Sequence, residues 1–208
     1  MLTPSLPSLA AHDLACRRGD RILFKGLNFA VDAGQVVWLR GANGRGKTSL
    51  LRLLAGLSTP EAGEVRFNGT PRQRVYVAHA NALKEDLTAL ESLRFLARLH
   101  GRDDSDATLT DAMRLFGIVN RRDAFVRTLS QGQRRRVALS RLALDVQPTL
   151  WILDEPFDAL DVEGIATLNA LLTQHAARGG SVVLTSHQAL TLAQPVPVVV
   201  QLDEMVAA

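Results

Sequence analysis

Short apolar runs of strand length, separated by polar turns, occupy the first part of the chain. They lie at residues 9–16, 22–31, 36–40, 64–67 and 74–78. Such runs, bounded by turn residues, indicate β-strands. We expect the first two to form an antiparallel flank that leads to the third. Asn68 and Gly69 provide a turn signal between the last two.

The apolar pattern then changes to a helical period. Three helices are predicted, from residue 88 to about 101, through residue 116, and from about residue 130 to 146. Thr88 with Glu91, and Ser130 with Gln133, fit capping boxes that open the first and third helices. The apolar stripe of the first helix is predicted to comprise Leu90, Leu93, Leu96, Ala97 and Leu99.

An α/β pattern returns after Pro148. The predicted elements are a strand at 150–153, a helix at 161–178, a strand at 181–185, a short helix after His187 and a strand at 198–202. The run at 150–153 does not alternate, which is typical of a strand buried on both faces. The chain is therefore predicted to be one α/β domain over residues 1–208. Its core comprises residues 8–79 and 148–205, and residues 80–147 form an inserted helical subdomain.

Composition excludes several classes of protein. With 47% hydrophobic and 22% charged residues, the chain of 208 residues is globular rather than disordered. No apolar run approaches the length that crosses a bilayer. Residues 1–7 lack the basic start and apolar core of a secretion signal, so we expect the chain to stay in the cytosol. Cys16 is the only cysteine, so there is no disulfide framework.

The net charge of +3 is accompanied by short groups of arginines. These groups are Arg17 with Arg18, Arg121 with Arg122, and Arg134 with Arg135 and Arg136. Nucleic-acid-binding chains usually carry a longer basic stripe with aromatic residues between the charges, whereas only 5% of this chain is aromatic. We interpret the arginines as solvated faces or as a surface for a negatively charged partner, and expect no nucleic acid.

A phosphate-binding loop is the strongest chemical signal in the sequence. Residues 41–48 match the P-loop pattern G-x-x-x-x-G-K-[ST], and they lie between a predicted strand and a helical run. The predicted nucleotide-binding residues are Gly41, Ala42, Asn43, Gly44, Arg45, Gly46, Lys47, Thr48 and Ser49. Glycines let successive N–H groups approach phosphate oxygens, Lys47 supplies a cation, and the Thr48 hydroxyl can ligate Mg²⁺.

Two carboxylates follow the buried strand at 150–153 and provide the acidic half of the site. Asp154, at the end of the strand, is placed to hold Mg²⁺ through its water ligands. Glu155 is one residue further on, so its side chain can turn to the γ-phosphate and polarise a water. Ligands of open α/β sheets bind at this end of the strands, which argues against a pair of ordinary surface acids.

Residues 129–141 resemble the signature helix of ABC-type ATPases, usually written L-S-G-G-Q with basic residues after it. Two further segments agree with this resemblance: Ala159-Leu-Asp161 matches the D-loop, and Thr185-Ser-His187 resembles the strand that carries the switch histidine. The resemblance covers about residues 8–205. It implies the ABC-type variant of the P-loop fold and an ATPase that uses Mg²⁺ with ATP.

The resemblance also implies how the site is completed. Ser130, Gln131, Gly132 and Gln133 would bind the γ-phosphate of an ATP held by a second copy of the chain, so that two ATP molecules lie in a head-to-tail dimer. Glu155 would act as general base, beside His187 at the γ-phosphate and the attacking water. Asp161 would belong to the D-loop.

Three positions depart from the usual pattern. Gln131 replaces a glycine, which is tolerated if its φ is below zero and its side chain points outward. His79 aligns with the glutamine of the Q-loop and can bond a metal-bound water. Arg18 aligns with the aromatic residue that stacks on adenine, and a guanidinium can also stack on a base.

Within the family, the chain is similar to the ATP-binding subunits of bacterial haem exporters that serve cytochrome c maturation. The supporting features are its short length, His79, and residues 87–95 and 151–161. The similarity implies a peripheral protein on the cytoplasmic face of the inner membrane, bound to integral membrane subunits, whose ATP cycle releases haem from a periplasmic chaperone. No direct haem ligand is expected in this chain.

Other functions remain open on the sequence. The chain could serve another small exporter with a different substrate. DNA-repair and ribosomal members of the family carry a coiled-coil insertion or a second ATPase unit, for which 208 residues leave no room. An isolated P-loop kinase would leave residues 129–141 unexplained.

Overall fold

A computed structural model describes residues 8–205, so the interpretation of residues 1–7 lies outside the described part. The strands are β1 (Leu9–Arg18), β2 (Arg21–Val31), β3 (Val36–Arg40), β4 (Ala62–Phe67), β5 (Arg74–Val77), β6 (Leu150–Leu153), β7 (Ser181–Thr185) and β8 (Val198–Gln201). The α-helices are α1 (Lys47–Leu54), α2 (Ala89–Leu99), α3 (Asp106–Leu115), α4 (Gln131–Ser140) and α5 (Val162–Ala177).

The strands form two sheets. A three-stranded antiparallel sheet has the order β2-β1-β4, and a five-stranded parallel sheet has the order β5-β6-β7-β3-β8. The predicted fold class, α/β with an antiparallel flank and a helical block, is confirmed. The turn at Asn68 and Gly69 does not join a hairpin, because β4 and β5 belong to different sheets.

The parallel sheet is covered on both faces, as the continuous apolar strands predict. Trp151 and Leu153 of β6 pack into the cluster formed with α2, α3, α4 and α5. Leu150 and Ile152 point the other way, into the cluster shared with α1 and the antiparallel sheet. Because successive side chains of a strand point to opposite faces, one four-residue strand contributes to both cores.

Capping boxes start two of the helices where the sequence places them. The hydroxyl of Thr88 accepts the N–H of Glu91 at the start of α2, and Ser130 and Gln133 form the same reciprocal pair at α4. The predicted apolar stripe of α2 is wrong at Leu99, which is 61% exposed. Leu99 follows Leu90 by about 2.5 helical turns, so it lies on the opposite face.

Two other predicted helices differ from the structure. The segment after His187 contains no helix up to β8. Leu190 and Leu192, two positions apart, both pack on the core, and Pro195 and Pro197 disfavour helical backbone before them. The third predicted helix ends as α4 at Ser140 and continues only as a tighter 3-10 segment, Arg141–Leu144.

The helices of residues 8–205 are short or amphipathic. None of them combines the length and the apolar content that a bilayer crossing requires.

Candidate functional site

The parallel sheet brings the phosphate-binding loop and the acidic residues to one edge. Strands β3, β7 and β6 are neighbours, so the segments that follow their carboxyl ends lie side by side. A cavity of about 330 Å³ opens there. Of the residues predicted for the site, those lining it are Arg18, Asn43, Gly44, Gly46, Lys47, Thr48, Ser49, His79, Asp154, Glu155 and His187. Gly41, Ala42 and Arg45 belong to the loop but do not line this cavity.

The loop conformation depends on glycine at its junction with α1. Gly46 caps the helix with a φ of 96°, and its carbonyl accepts the N–H of Leu50 at 2.8 Å. A Cβ atom at this position would lie 3.0 Å from the Cβ of Leu23. A side chain at Gly46 would therefore be strained and would also crowd Leu23 of β2.

The side chain of Lys47 reaches back to the first two residues of the P-loop. Its ammonium donates hydrogen bonds to the carbonyl oxygens of Gly41 at 2.7 Å and Ala42 at 3.3 Å. The cation is thus held close to the N–H groups at the start of α1, which makes this edge of the sheet favourable for anions.

Asp154 presents one bonded and one free oxygen to the cavity. Its side chain is buried, and Oδ1 accepts a hydrogen bond from the hydroxyl of Thr185 at 3.0 Å. Among residues 8–205, no group hydrogen-bonds the buried Oδ2. A buried carboxylate oxygen without a partner is costly, and the Thr48 hydroxyl lines the same cavity. These oxygens are ligands of the kind that Mg²⁺ prefers, so the residues present fit that ion.

The chain turns at Glu155, which brings its carboxylate into the cavity beside Asp154. Glu155 has a φ of +46°, and its N–H donates to the Thr185 hydroxyl at 2.9 Å. Oε2 of Glu155 accepts the backbone N–H of His187 at 3.0 Å, and Oε1 of Glu155 lies 3.6 Å from Nε2 of the His187 ring. The carboxylate and the imidazole therefore face the same space.

Thr185 and Asp158 were missed as functional positions by the sequence analysis. The Thr185 hydroxyl accepts the backbone N–H of Glu155 and donates to the carboxylate of Asp154, so one side chain of β7 contacts both acidic residues. Asp158 lines the cavity and places Oδ2 3.5 Å from Nδ1 of His79. Thr185 belongs to the Thr-Ser-His motif, which was the available signal for its role. The sequence held no comparable signal for Asp158.

The signature residues lie around a different cavity, of about 580 Å³. Ser130, Gly132, Gln133 and Asp161 line it, and none of its lining residues is shared with the first cavity. Gln131 is the first residue of α4 and its side chain is exposed, as the substitution at this position requires. A Cβ atom at Gly132 would lie 2.9 Å from the carbonyl oxygen of Ala159, so the helix and the D-loop approach closely there.

Arg135 contradicts the interpretation of the third arginine group as a solvated face. Its side chain is buried, with the residue only 2% exposed, and it donates to the carbonyl oxygens of Asp154, Glu155, Pro156 and Ala78 and to the amide oxygen of Asn81. Burial lowers the pKa of this guanidinium, while the neighbouring acids act in the opposite direction. The reason for its burial is that the ends of β5 and β6 leave several carbonyl groups that need donors.

Arg136 also takes part in a specific contact. Its guanidinium bonds both carboxylate oxygens of Asp161 at 2.6 Å, and hydrogen bonding from Gly164 and Arg136 lowers the pKa of that acid. The D-loop is thereby joined to the signature helix.

Comparison with known proteins is consistent with this geometry. The family described as ABC transporter matches residues 24–158. A cytochrome c biogenesis ATP-binding export protein CcmA from Aromatoleum aromaticum is 47% identical, over 99% of this chain and 100% of its own length. The protein of the same name from Methylococcus capsulatus is 50% identical, over 88% of this chain and 92% of its own. A solved ATP-binding subunit of an ABC transporter is 30% identical with a TM-score of 0.78, covering 86% of this chain and 79% of its own.

Proposed function

Because this chain belongs to the ABC transporter family, we propose that it is the ATP-hydrolysing subunit of a complex that serves haem export and cytochrome c maturation. The observation that carries the proposal is the meeting of the P-loop, Asp154, Glu155 and His187 around one cavity. The two CcmA relatives, matched over nearly their whole lengths, support the cellular role. Membership of this family agrees with an ATPase that consists of one nucleotide-binding domain with an inserted helical subdomain.

Within this proposal, the P-loop binds the phosphates of ATP. The N–H groups at the start of α1 and the Lys47 ammonium stabilise the negative charge of the phosphates. Arg18, at the rim of the cavity, contacts the base, and Thr48 and Asp154 hold Mg²⁺. When bound, that ion would supply positive charge that offsets the charge of the phosphate oxygens.

Glu155 and His187 act on the reacting end of the nucleotide. The Glu155 carboxylate takes a proton from the attacking water, and its hydrogen bond to the His187 backbone fixes the direction from which it does so. The His187 side chain, 57% exposed, is free to contact the γ-phosphate. His79 lines the same cavity, where its ring contacts Asp158.

The signature residues complete the site in a partner copy. Ser130 and Gly132 line a cavity separate from the P-loop, so one protomer does not close both around the same nucleotide. We therefore assign Ser130, Gln131, Gly132, Gln133 and Asp161 to the ATP of a second subunit in a head-to-tail dimer. The other partners are integral membrane subunits that hold the dimer on the cytoplasmic face of the inner membrane. Neither nucleic acid nor a haem ligand is part of the proposal.

The Glu155→Gln variant tests the ATPase mechanism. We expect its turnover to fall at least about 100-fold, because the general base is lost while phosphate binding is not. In gel filtration with Mg²⁺ and ATP it should elute as a dimer. Glu163→Gln, on the exposed first turn of α5, is the matched control and should hydrolyse like the wild type. Wild-type turnover in Glu155→Gln would remove Glu155 as the base.

Purification from the native membrane tests the cellular role. The wild-type chain should co-purify with integral membrane subunits and support assembly of c-type cytochromes. Normal cytochrome c levels in a strain whose only copy of the protein is Glu155→Gln would contradict this role and favour an exporter with a different substrate.

A further inference from the structure

Asp203 does not line the nucleotide cavity, but its carboxylate contacts the P-loop. It lies in the 3-10 turn Leu202–Met205, directly after β8. Strand β8 pairs in parallel with β3, and Gln201 is opposite Arg40. Because both strands end at the same edge of the sheet, the turn after β8 lies beside the loop after β3.

Asp203 contacts the loop at two positions. Its Oδ2 accepts the backbone N–H of Ala42 at 2.8 Å, and its Oδ1 lies 3.1 Å from Nε of Arg45. The side chains of Arg45 and Asp203 are 44% and 39% exposed. An ion pair with that exposure contributes little by itself, so the hydrogen bond to the main chain is the stronger restraint.

The residues that make this contact are not part of the lining of the nucleotide cavity. Ala42 and Arg45 do not line that cavity, and Lys47 bonds the carbonyl oxygens of Gly41 and Ala42. A Cβ atom at Gly41 would lie 3.3 Å from the Cβ of Leu202 and 3.5 Å from Oδ2 of Asp203. The start of the loop is thus held by Asp203 at an N–H group and by Lys47 at two carbonyl groups.

We propose that Asp203 is a positioning residue for nucleotide binding. Its hydrogen bond to Ala42 holds the P-loop in the conformation that receives phosphate. Arg45 neutralises the carboxylate, whose charge would otherwise oppose the phosphates, and is itself kept away from the cavity. The inference rests on the proposed function, in which the P-loop binds the phosphates of ATP.

The test is the affinity of Asp203 variants for ADP with Mg²⁺, measured by titration calorimetry. ADP is used because it is not hydrolysed during the measurement. Asp203→Ala should raise Kd about tenfold, since a charge-assisted hydrogen bond to the loop is lost. Asp203→Asn should stay within about threefold of the wild type, because its amide oxygen can still accept from Ala42.

Controls separate this role from a merely structural one. Asp111→Ala removes an acid that is also paired with an arginine, Arg114, but lies on the exposed face of α3, and it should leave Kd unchanged. If Asp203→Ala does not fold, Asp203→Ser replaces it, because serine is too short to reach Ala42. Wild-type affinity in the alanine or serine variant, or an equal loss in the asparagine variant, would overturn the inference.

The Lys47→Ala variant distinguishes this inference from the proposed function. If Lys47→Ala binds ADP like the wild type, the proposed nucleotide site itself is wrong. If Lys47→Ala loses binding while Asp203→Ala retains it, only the role of Asp203 is wrong.

Discussion

The fold strongly changes the acid-base chemistry of His175. It is fully buried, its Nε2 lies 2.9 Å from the carbonyl oxygen of Thr149, and its ring stacks on Trp151 with 3.7 Å between centroids. A Cβ atom at Gly180 would lie 2.2 Å from the ring, so glycine is required beside it. Burial lowers the pKa of His175 to about 4, because a charged ring would lose its hydration.

The stability of the protein should therefore depend on pH through His175. Between pH 6.5 and about 4 the unfolded chain binds a proton at this position and the folded chain does not, so stability falls as the pH is lowered. The contribution amounts to about 3 kcal/mol over that window. Urea unfolding of the wild type and His175→Gln, at several pH values, measures it. The variant should show a shallower dependence, and identical dependences would contradict the assignment.

At the residue scale, local motifs predicted which side chains lie together, while the roles of those residues stay predictions. Lys47, Asp154, Glu155 and His187 lie around one cavity, as their motifs indicate. Asp203 carries no motif, and its contact with Ala42 arises only because β8 happens to pair with β3. Contacts that depend on strand order do not follow from a local motif. A local pattern predicts where a strand lies, but not which other strands pair with it.

At the scale of elements, helix α4 is joined to the ends of two strands by Arg135. The guanidinium bonds main-chain oxygens after β5 and after β6, which include those of Ala78 and Glu155. A planar group with five donors suits this set of acceptors. The signature helix and the segment that carries Glu155 therefore share one buried connection.

Replacing Arg135 should loosen that connection. Arg135→Gln leaves several buried carbonyl groups without donors, and we expect the free energy of unfolding to fall by about 3 kcal/mol. Arg135→Lys should lose less, because it keeps the charge and three donors. Urea denaturation measures both. Arg114→Gln, on the exposed face of α3, is the control and should stay within about 0.5 kcal/mol of the wild type. Equal stability of all the variants would show that the contacts of Arg135 contribute little.

The elements themselves were predicted best where burial and capping agree. Strands β3, β6 and β7 have the predicted bounds, because each is a short apolar run buried on both sides. The helix expected after His187 is absent, since an apolar count alone does not distinguish a helix from an extended segment packed on the core. The absent helix after His187 and the early end of α4 both concern segments where tertiary contacts override local preference.

At the scale of the whole molecule, the separation of the two cavities predicts complementation between inactive subunits. Lys47→Ala lacks the P-loop cation, and Ser130→Arg fills the signature cavity. In the proposed head-to-tail dimer, half of the dimers in an equal mixture are heterodimers with one intact composite site, so about a quarter of the wild-type ATPase rate should return. A steady-state ATPase assay of the mixture measures this.

The control mixture combines Lys47→Ala with Glu155→Gln. Lys47 and Glu155 line the same cavity of one chain, so no composite site in that heterodimer is intact and no activity should return. Recovery in the control as well, or in neither mixture, would contradict an arrangement in which the signature acts on the partner's nucleotide.

The order of the parallel sheet also sets the dimensions of the site. Only β7 separates β3, which leads to the P-loop, from β6, which leads to Asp154 and Glu155. Adjacent strands are about 4.8 Å apart, so the two halves are separated by about 10 Å of main-chain ladder. That spacing lets one phosphate chain contact the P-loop and the two acids at once. Because hydrogen bonds between backbones maintain the spacing, it does not depend on the side chains that line the cavity.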